Sequence, residues 1–193
     1  MTLACPPRLS TPVDLARMPD NSTLELVDGK IVDKFSSLLS SEVEGMIAAR
    51  IRVYTSANPV AEVFPGSLGY QCFSSGKDRI LKPDVTVVLT DRMRHFIDDD
   101  PDFMPIVPDL AVEVVSFQDT CFAIADRVIE YQHAGFPLIW VADPMTRTIT
   151  VYPQGGRSAI FTADDILTAE SVLPGFRCKV ADFFPVSTKL QSL

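Results

Sequence analysis

Histidine and cysteine, the residues behind most zinc and thiol motifs, are scarce and scattered in this chain. Only His95 and His133 occur, and Cys5, Cys72, Cys121 and Cys178 lie far apart with no CxxC pair. This spacing excludes a zinc-binding pattern and a disulfide framework, and it predicts reduced thiols in a cytoplasmic protein. GxSxG, GxGxxG and P-loop motifs are missing too, and Gly66, Gly69 and Gly76 lack phosphate-loop spacing. No run is long and apolar enough for a membrane span. The first residues, MTLACPPRLSTPVD, have neither the basic start nor the hydrophobic segment of an export signal. Positive charge is short as well: 17 Lys and Arg face 25 Asp and Glu, a net charge of −8. The chain lacks the overall basic footprint of a protein that coats nucleic acid, although a local basic groove stays possible. It contains no repeat or low-complexity segment.

What is present is enough apolar material for a core. At 193 residues and 47% hydrophobic, the chain reads as one domain over residues 22–193, preceded by a proline-rich arm over 1–21. The arm should hold a short helix at Pro12–Arg17. The organising stretch is PDLAVEVVSFQDTCFAIADRVIEY, Pro108 to Tyr131. From Leu110 to Val115 every residue but Glu113 is apolar, as in a strand covered on both faces. A carboxylate there is costly unless a cation or metal meets it. Ser116 and Asp119 offer oxygens where a helix begins. In that helix Ile124, Arg127, Val128 and Tyr131 share one side, with Asp126, Glu130 and His133 on the other.

Around that stretch, LELVDGKIVD reads as a hairpin on Asp28-Gly29, with Glu25 in its first strand, an exposed position on the plainest reading. Ser36–Tyr54 fits a helix whose buried stripe is Leu39, Val43, Met46, Ile47, Ile51 and Tyr54, with Glu44 mostly off it. AEVFPGSLGYQCF suggests two strands about Pro65-Gly66, SSGKDR a loop, and ILKPDVTVVL a strand carrying Asp84. Thr90–Pro108, with Asp98-Asp99-Asp100, reads as a solvated excursion without calcium-loop spacing. FPLIWVADP and TRTITVYP read as antiparallel strands. The tail offers a strand at Ser158–Phe161, a short helix or turn near Ala163–Leu167, and an anchor at Phe183-Phe184. The order predicts a mixed-sheet α/β or α+β layer protein rather than a regular βαβ array.

One chemical constellation emerges: Asp84, Glu113 and Arg127, with Glu25 beside them. Carboxylates on adjacent strands repel unless a divalent cation joins them, and oxygen ligands suit magnesium or manganese. Such an ion activates water and neutralises charge on a phosphodiester. From spacing alone, a buried Glu113–Arg127 salt bridge explains the same residues.

These segments together resemble the Uma-type endonuclease family of restriction-endonuclease-like PD-(D/E)xK nucleases. The resemblance rests on LELVDGKIV (Leu24–Val32), KPDVTVV (Lys82–Val88), PDLAVEVVS (Pro108–Ser116), EYQHAGFPLIWVADP (Glu130–Pro144) and RTITVY (Arg147–Tyr152). It implies a mixed central sheet flanked by helices and magnesium- or manganese-dependent hydrolysis of DNA. Carried onto this chain, it makes Asp84 and Glu113 metal ligands, Arg127 a catalytic cation, and Glu25, Ser116 and Tyr131 supporting residues. Three positions depart from the family pattern: Arg127 stands for a lysine, Phe117 for a proline, and the helix from Ser36 lacks an early histidine. A homodimer is the expected assembly for cutting two strands. The competing expectation is a nuclease fold that no longer turns over and serves as a nucleic-acid-binding or protein-interaction module.

Overall fold

The computed structural model describes residues 9–73, 78–96 and 99–185. Cys5, Gly76, Asp98 and part of the SSGKDR loop lie outside the described residues. Helix α1 (Pro12–Ala16) is capped by Thr11 and buries Leu15. Strands β1 (Leu24–Val27) and β2 (Lys30–Asp33) form the hairpin. Its turn residues Asp28 and Gly29 have φ of 50° and 72°, the left-handed pair of a type I′ turn.

Helix α2 (Leu38–Ala57) starts at Ser37, whose hydroxyl accepts from Ser40 N–H while Ser40 Oγ accepts from Ser37 N–H. This capping box sets the start two residues later than the apolar pattern predicts. Val43, Ile47 and Ile51 are fully buried along one stripe, each contributing roughly 1.5–3 kcal/mol of transfer free energy. Leu39, Met46 and Tyr54 are only half-buried.

A six-stranded sheet follows, in the order β3 (Ala61–Pro65), β4 (Val85–Leu89), β5 (Leu110–Val114), β6 (Leu138–Asp143), β7 (Thr148–Pro153), β8 (Ala159–Phe161). Only β5 and β6 run parallel, joined by helix α4 (Cys121–Ala134); the other neighbours are antiparallel. The expected mixed sheet with helices is therefore what the chain forms.

Alternation divides the sheet's side chains between two cores. Val85, Val87, Leu110, Val112 and Trp140 pack toward α2 and the C-terminal hairpin. Val88, Ala111, Ile139 and Val141 pack toward Val128 and Tyr131 of α4, and toward Tyr70 and Met104.

Three local expectations change. The segment after Pro65-Gly66 is no regular strand: Tyr70 makes single bridges to Leu81 and Met104. The Thr90–Pro108 excursion contains a short helix α3 (Thr90–Met93) and buries Met93, Phe103 and Met104. Its acidic residues hid apolar ones: Met93 and Met104 pack in the core around Tyr70, and Phe103 packs with Leu15, Leu26 and Ile80. In the tail, β9 (Ile166–Ala169) and β10 (Leu173–Lys179) pair as a hairpin with an irregularity between Leu173 and Arg177. Pro174-Gly175 looks like a break in sequence and is absorbed there as that irregularity. Phe183 and Phe184 are buried, as an anchor should be.

Candidate metal and phosphate site

Strand pairing sets the centre. Val85 lies opposite Val112 in the antiparallel β4–β5 ladder, so the next step along it brings Asp84 beside Glu113. Asp84 Oδ2 accepts from Val114 N–H at 2.6 Å, which fixes the carboxylate across the strand end. Both residues are buried, at 8% and 4% exposure.

The hairpin supplies the next layer. Leu26 and Ile80 exchange two backbone hydrogen bonds of 2.9 Å, which lays β1 alongside the segment entering β4. Glu25 is thereby buried, at 1% exposure, and its Oε1 accepts from Lys82 N–H at 2.7 Å. The plain reading of Glu25 as an exposed strand residue fails here. Arg127 grips it with both terminal nitrogens, 2.8 Å to Oε1 and 2.7 Å to Oε2. The same guanidinium stands 3.6 Å from Glu113 Oε1. Arg79 ties the assembly from outside, pairing with Asp28 of the turn at 2.6 Å and with Glu130 of α4.

Lys34, which sequence reasoning passed over, occupies the centre. Its Nζ lies 2.7 Å from Asp84 Oδ1 and 3.5 Å from Glu113 Oε2, and donates to the Lys82 carbonyl. Tyr131 adds its hydroxyl as donor to Glu113 Oε1. Asp84, Glu113, Arg127, Glu25 and Tyr131 thus form one contiguous network. Ser116 does not join it. Its buried hydroxyl has no partner among the described residues, and the N-cap of α4 is Thr120. Asp119 instead accepts from Ser116 N–H at 2.7 Å.

Electrostatics follow from three buried carboxylates facing two cations. Burial pushes the Glu113 carboxyl above its usual range, against the pull of Lys34 and Arg127. Burial also opposes ionised Glu25, yet the Arg127 hydrogen bonds and charge outweigh it and hold that carboxyl below its usual range. Lys34 would lose its proton more easily through burial, but Glu113, Asp84 and Glu25 together hold the ammonium charged. Burial and the neighbouring Glu113 keep the Tyr131 phenol protonated.

Lys34, Asp84, Glu113 and Arg127 of the network line a cavity of about 240 Å³, whose other walls include Ser36, Gln118 and Ile124. Neither histidine nor cysteine lines it. Among the described residues no cluster of three or more His, Cys, Asp or Glu side chains makes a ready metal cage. Two carboxylates with room beside them fit a hard cation that keeps several waters, as magnesium does. Glu44 of α2 also approaches Asp84, in the wall of a neighbouring cavity of about 280 Å³, and accepts from Gly66 N–H at 3.4 Å.

Residues 12–181 match the Uma2 family, described as "Putative restriction endonuclease". The chain belongs to that family. Membership indicates a restriction-endonuclease-like nuclease. No curated protein matches the chain. Among solved structures it is similar to a protein of Anabaena variabilis ATCC 29413, titled a putative nuclease belonging to DUF820. The TM-score is 0.76 at 19% identity, over 90% of this chain and 97% of that one. The likeness establishes a shared fold. No helix among the described residues is long and apolar enough to cross a membrane.

The sequence held a signal for one missed residue. Glu44 follows the buried Val43 and lies four residues after buried Ser40, so it borders the packed stripe. Lys34 had none. It stands just past β2, and the carboxylates that give it meaning are 50 and 79 residues further on.

Proposed function

We propose that this Uma2 protein is a divalent-metal-dependent endonuclease that hydrolyses DNA phosphodiester bonds. One observation carries the reading: Asp84 and Glu113 turn carboxylate oxygens to a single cationic position at the floor of a solvent-reaching cavity. In the reaction, a water molecule gives up one proton as its oxygen bonds to phosphorus, the P–O ester bond breaks, and the leaving oxygen takes up one proton, so that no proton is gained or lost overall. Asp84 Oδ1 and Glu113 Oε2 would hold magnesium or manganese, which supplies a more acidic bound water and neutralises charge on the phosphate. Arg127, held by Glu25, places a positive charge 3.6 Å from Glu113 Oε1, and the Tyr131 hydroxyl donates to that same oxygen. A homodimer would present two such sites to opposite strands.

A second reading, a binding module without turnover, draws on the presence of Lys34 between the two carboxylates, where it already neutralises them. Nicking of supercoiled plasmid with magnesium and then manganese separates the two. The nuclease reading expects cutting by the parent and none by Asp84→Ala, together with a metal-induced rise in melting temperature that Asp84→Ala abolishes. DNA binding without cutting, and melting indifferent to metal, would establish the module instead.

A further inference from the structure

We infer that Lys34 is a displaceable counter-ion: it holds Asp84 and Glu113 together until a divalent cation binds, then turns its ammonium to the substrate phosphate. This rests on the metal-nuclease reading above. The Lys34 backbone is pinned, with its N–H donating to the Thr23 carbonyl at 2.7 Å, so the four-carbon stem is the movable part. Its Nζ contacts both oxygens that would hold the metal, at 2.7 and 3.5 Å. An ammonium and a divalent cation sharing those two oxygens in a buried space repel strongly. Lys34 therefore weakens metal binding for as long as it stays.

It has somewhere to go. Lys34, Ser36 and Asp84 border both the 240 Å³ cavity and the neighbouring 280 Å³ one, so a rotation of the stem keeps the ammonium inside the site. There it meets the phosphate as a compact charge with rotatable donors, which suits a group whose oxygens change position during reaction. Arg127 cannot do this, because both of its terminal nitrogens are held by Glu25. The cation on the reacting group is thus supplied by the hairpin rather than by α4.

The test uses the full chain, melted across a magnesium chloride titration, beside plasmid cleavage. Lys34→Met should melt lower without metal, since two buried carboxylates lose their counter-ion, and should show a larger metal-induced rise. Its magnesium half-saturation should fall about tenfold, while cleavage drops about 10²-fold through loss of a phosphate-facing charge. Lys34→Arg, which keeps the charge, should keep the parent's half-saturation. A half-saturation in Lys34→Met equal to or above the parent's, or cleavage at the parent's rate, overturns the inference. If Lys34→Met does not fold even with magnesium, Lys34→Gln is titrated by the same criteria. A parent whose melting ignores metal sinks the nuclease reading and this inference together. A responsive parent matched by an equally responsive Lys34→Met sinks only the inference.

Discussion

Arg127 meets Glu25 through two parallel hydrogen bonds of 2.8 and 2.7 Å, while its distance to Glu113 is 3.6 Å. The arginine is thus a strut between α4 and the hairpin. Removing it leaves Glu25, at 1% exposure, as a buried charge without its main partner. Arg127→Met should therefore cost about 3–5 kcal/mol, the usual penalty for breaking one side of a buried pair. Urea unfolding measures it. Arg127→Lys should fall between the two, because a point charge cannot reproduce the fork.

The same pair sets an acid response. Glu25 is held below its usual range, so its contribution is complete above about pH 4.3 and is lost as pH falls toward the depressed folded value. Glu113 has the opposite sign: burial raises its carboxyl, so its contribution is complete at low pH and fades as pH rises through the raised value. Melting temperature against pH should then fall less steeply below about pH 4.3 in Glu25→Gln than in the parent. In Glu113→Gln the gain in stability that this carboxyl gives the parent as pH falls toward about 4.3 from above should be missing, while the slope below that pH should match the parent's. Equal slopes in all three proteins would mean that neither carboxyl is shifted.

What could be read beforehand follows from how local each signal is. The β5 run with Glu113 inside it, the Asp28-Gly29 turn and the α4 face bearing Arg127 and Tyr131 all show within a few residues. The facing of Asp84 and Glu113 needed only that β4 and β5 be neighbours. The burial of Glu25 and the central place of Lys34 needed more. Each depends on the hairpin lying against Ile80 and Lys82, a contact with no local mark. The β9–β10 hairpin was hidden by Asp164-Asp165 and Pro174-Gly175, which punctuate a sequence whether or not a strand continues past them.

Tyr131 offers a narrower probe. Its ring stacks on Phe136 at 4.5 Å and on Phe73 at 6.0 Å, and Tyr131→Phe keeps both contacts. What is lost is the hydrogen bond that the hydroxyl donates to Glu113 Oε1 and the longer one, 3.5 Å, that it accepts from Arg127. The expected cost is about 1–3 kcal/mol, that of leaving a buried acceptor short of a donor. The metal-induced rise in melting temperature should shrink without vanishing, because Glu113 Oε2 is untouched. Complete loss would mean that the phenol, not the carboxylate, dominates the site.

The turn that carries the hairpin should matter as much as the residues it delivers. Gly29 has φ +72°, and a Cβ built there would lie 2.7 Å from Leu9 Cβ. Gly29→Ala therefore meets a left-handed backbone, worth about 1–2 kcal/mol, and a contact that must be relieved by movement. The turn is flanked by Arg79, which holds Asp28 on one side and Glu130 of α4 on the other, so strain reaches the hairpin's hold on α4. Glu25 and Lys34 both depend on that hold. Gly29→Ala should accordingly lower both stability in urea and the metal-induced rise in melting temperature, although residue 29 contacts no carboxylate of the site. An unchanged metal response at reduced stability would show that Ile80 and Lys82 alone keep the hairpin in place.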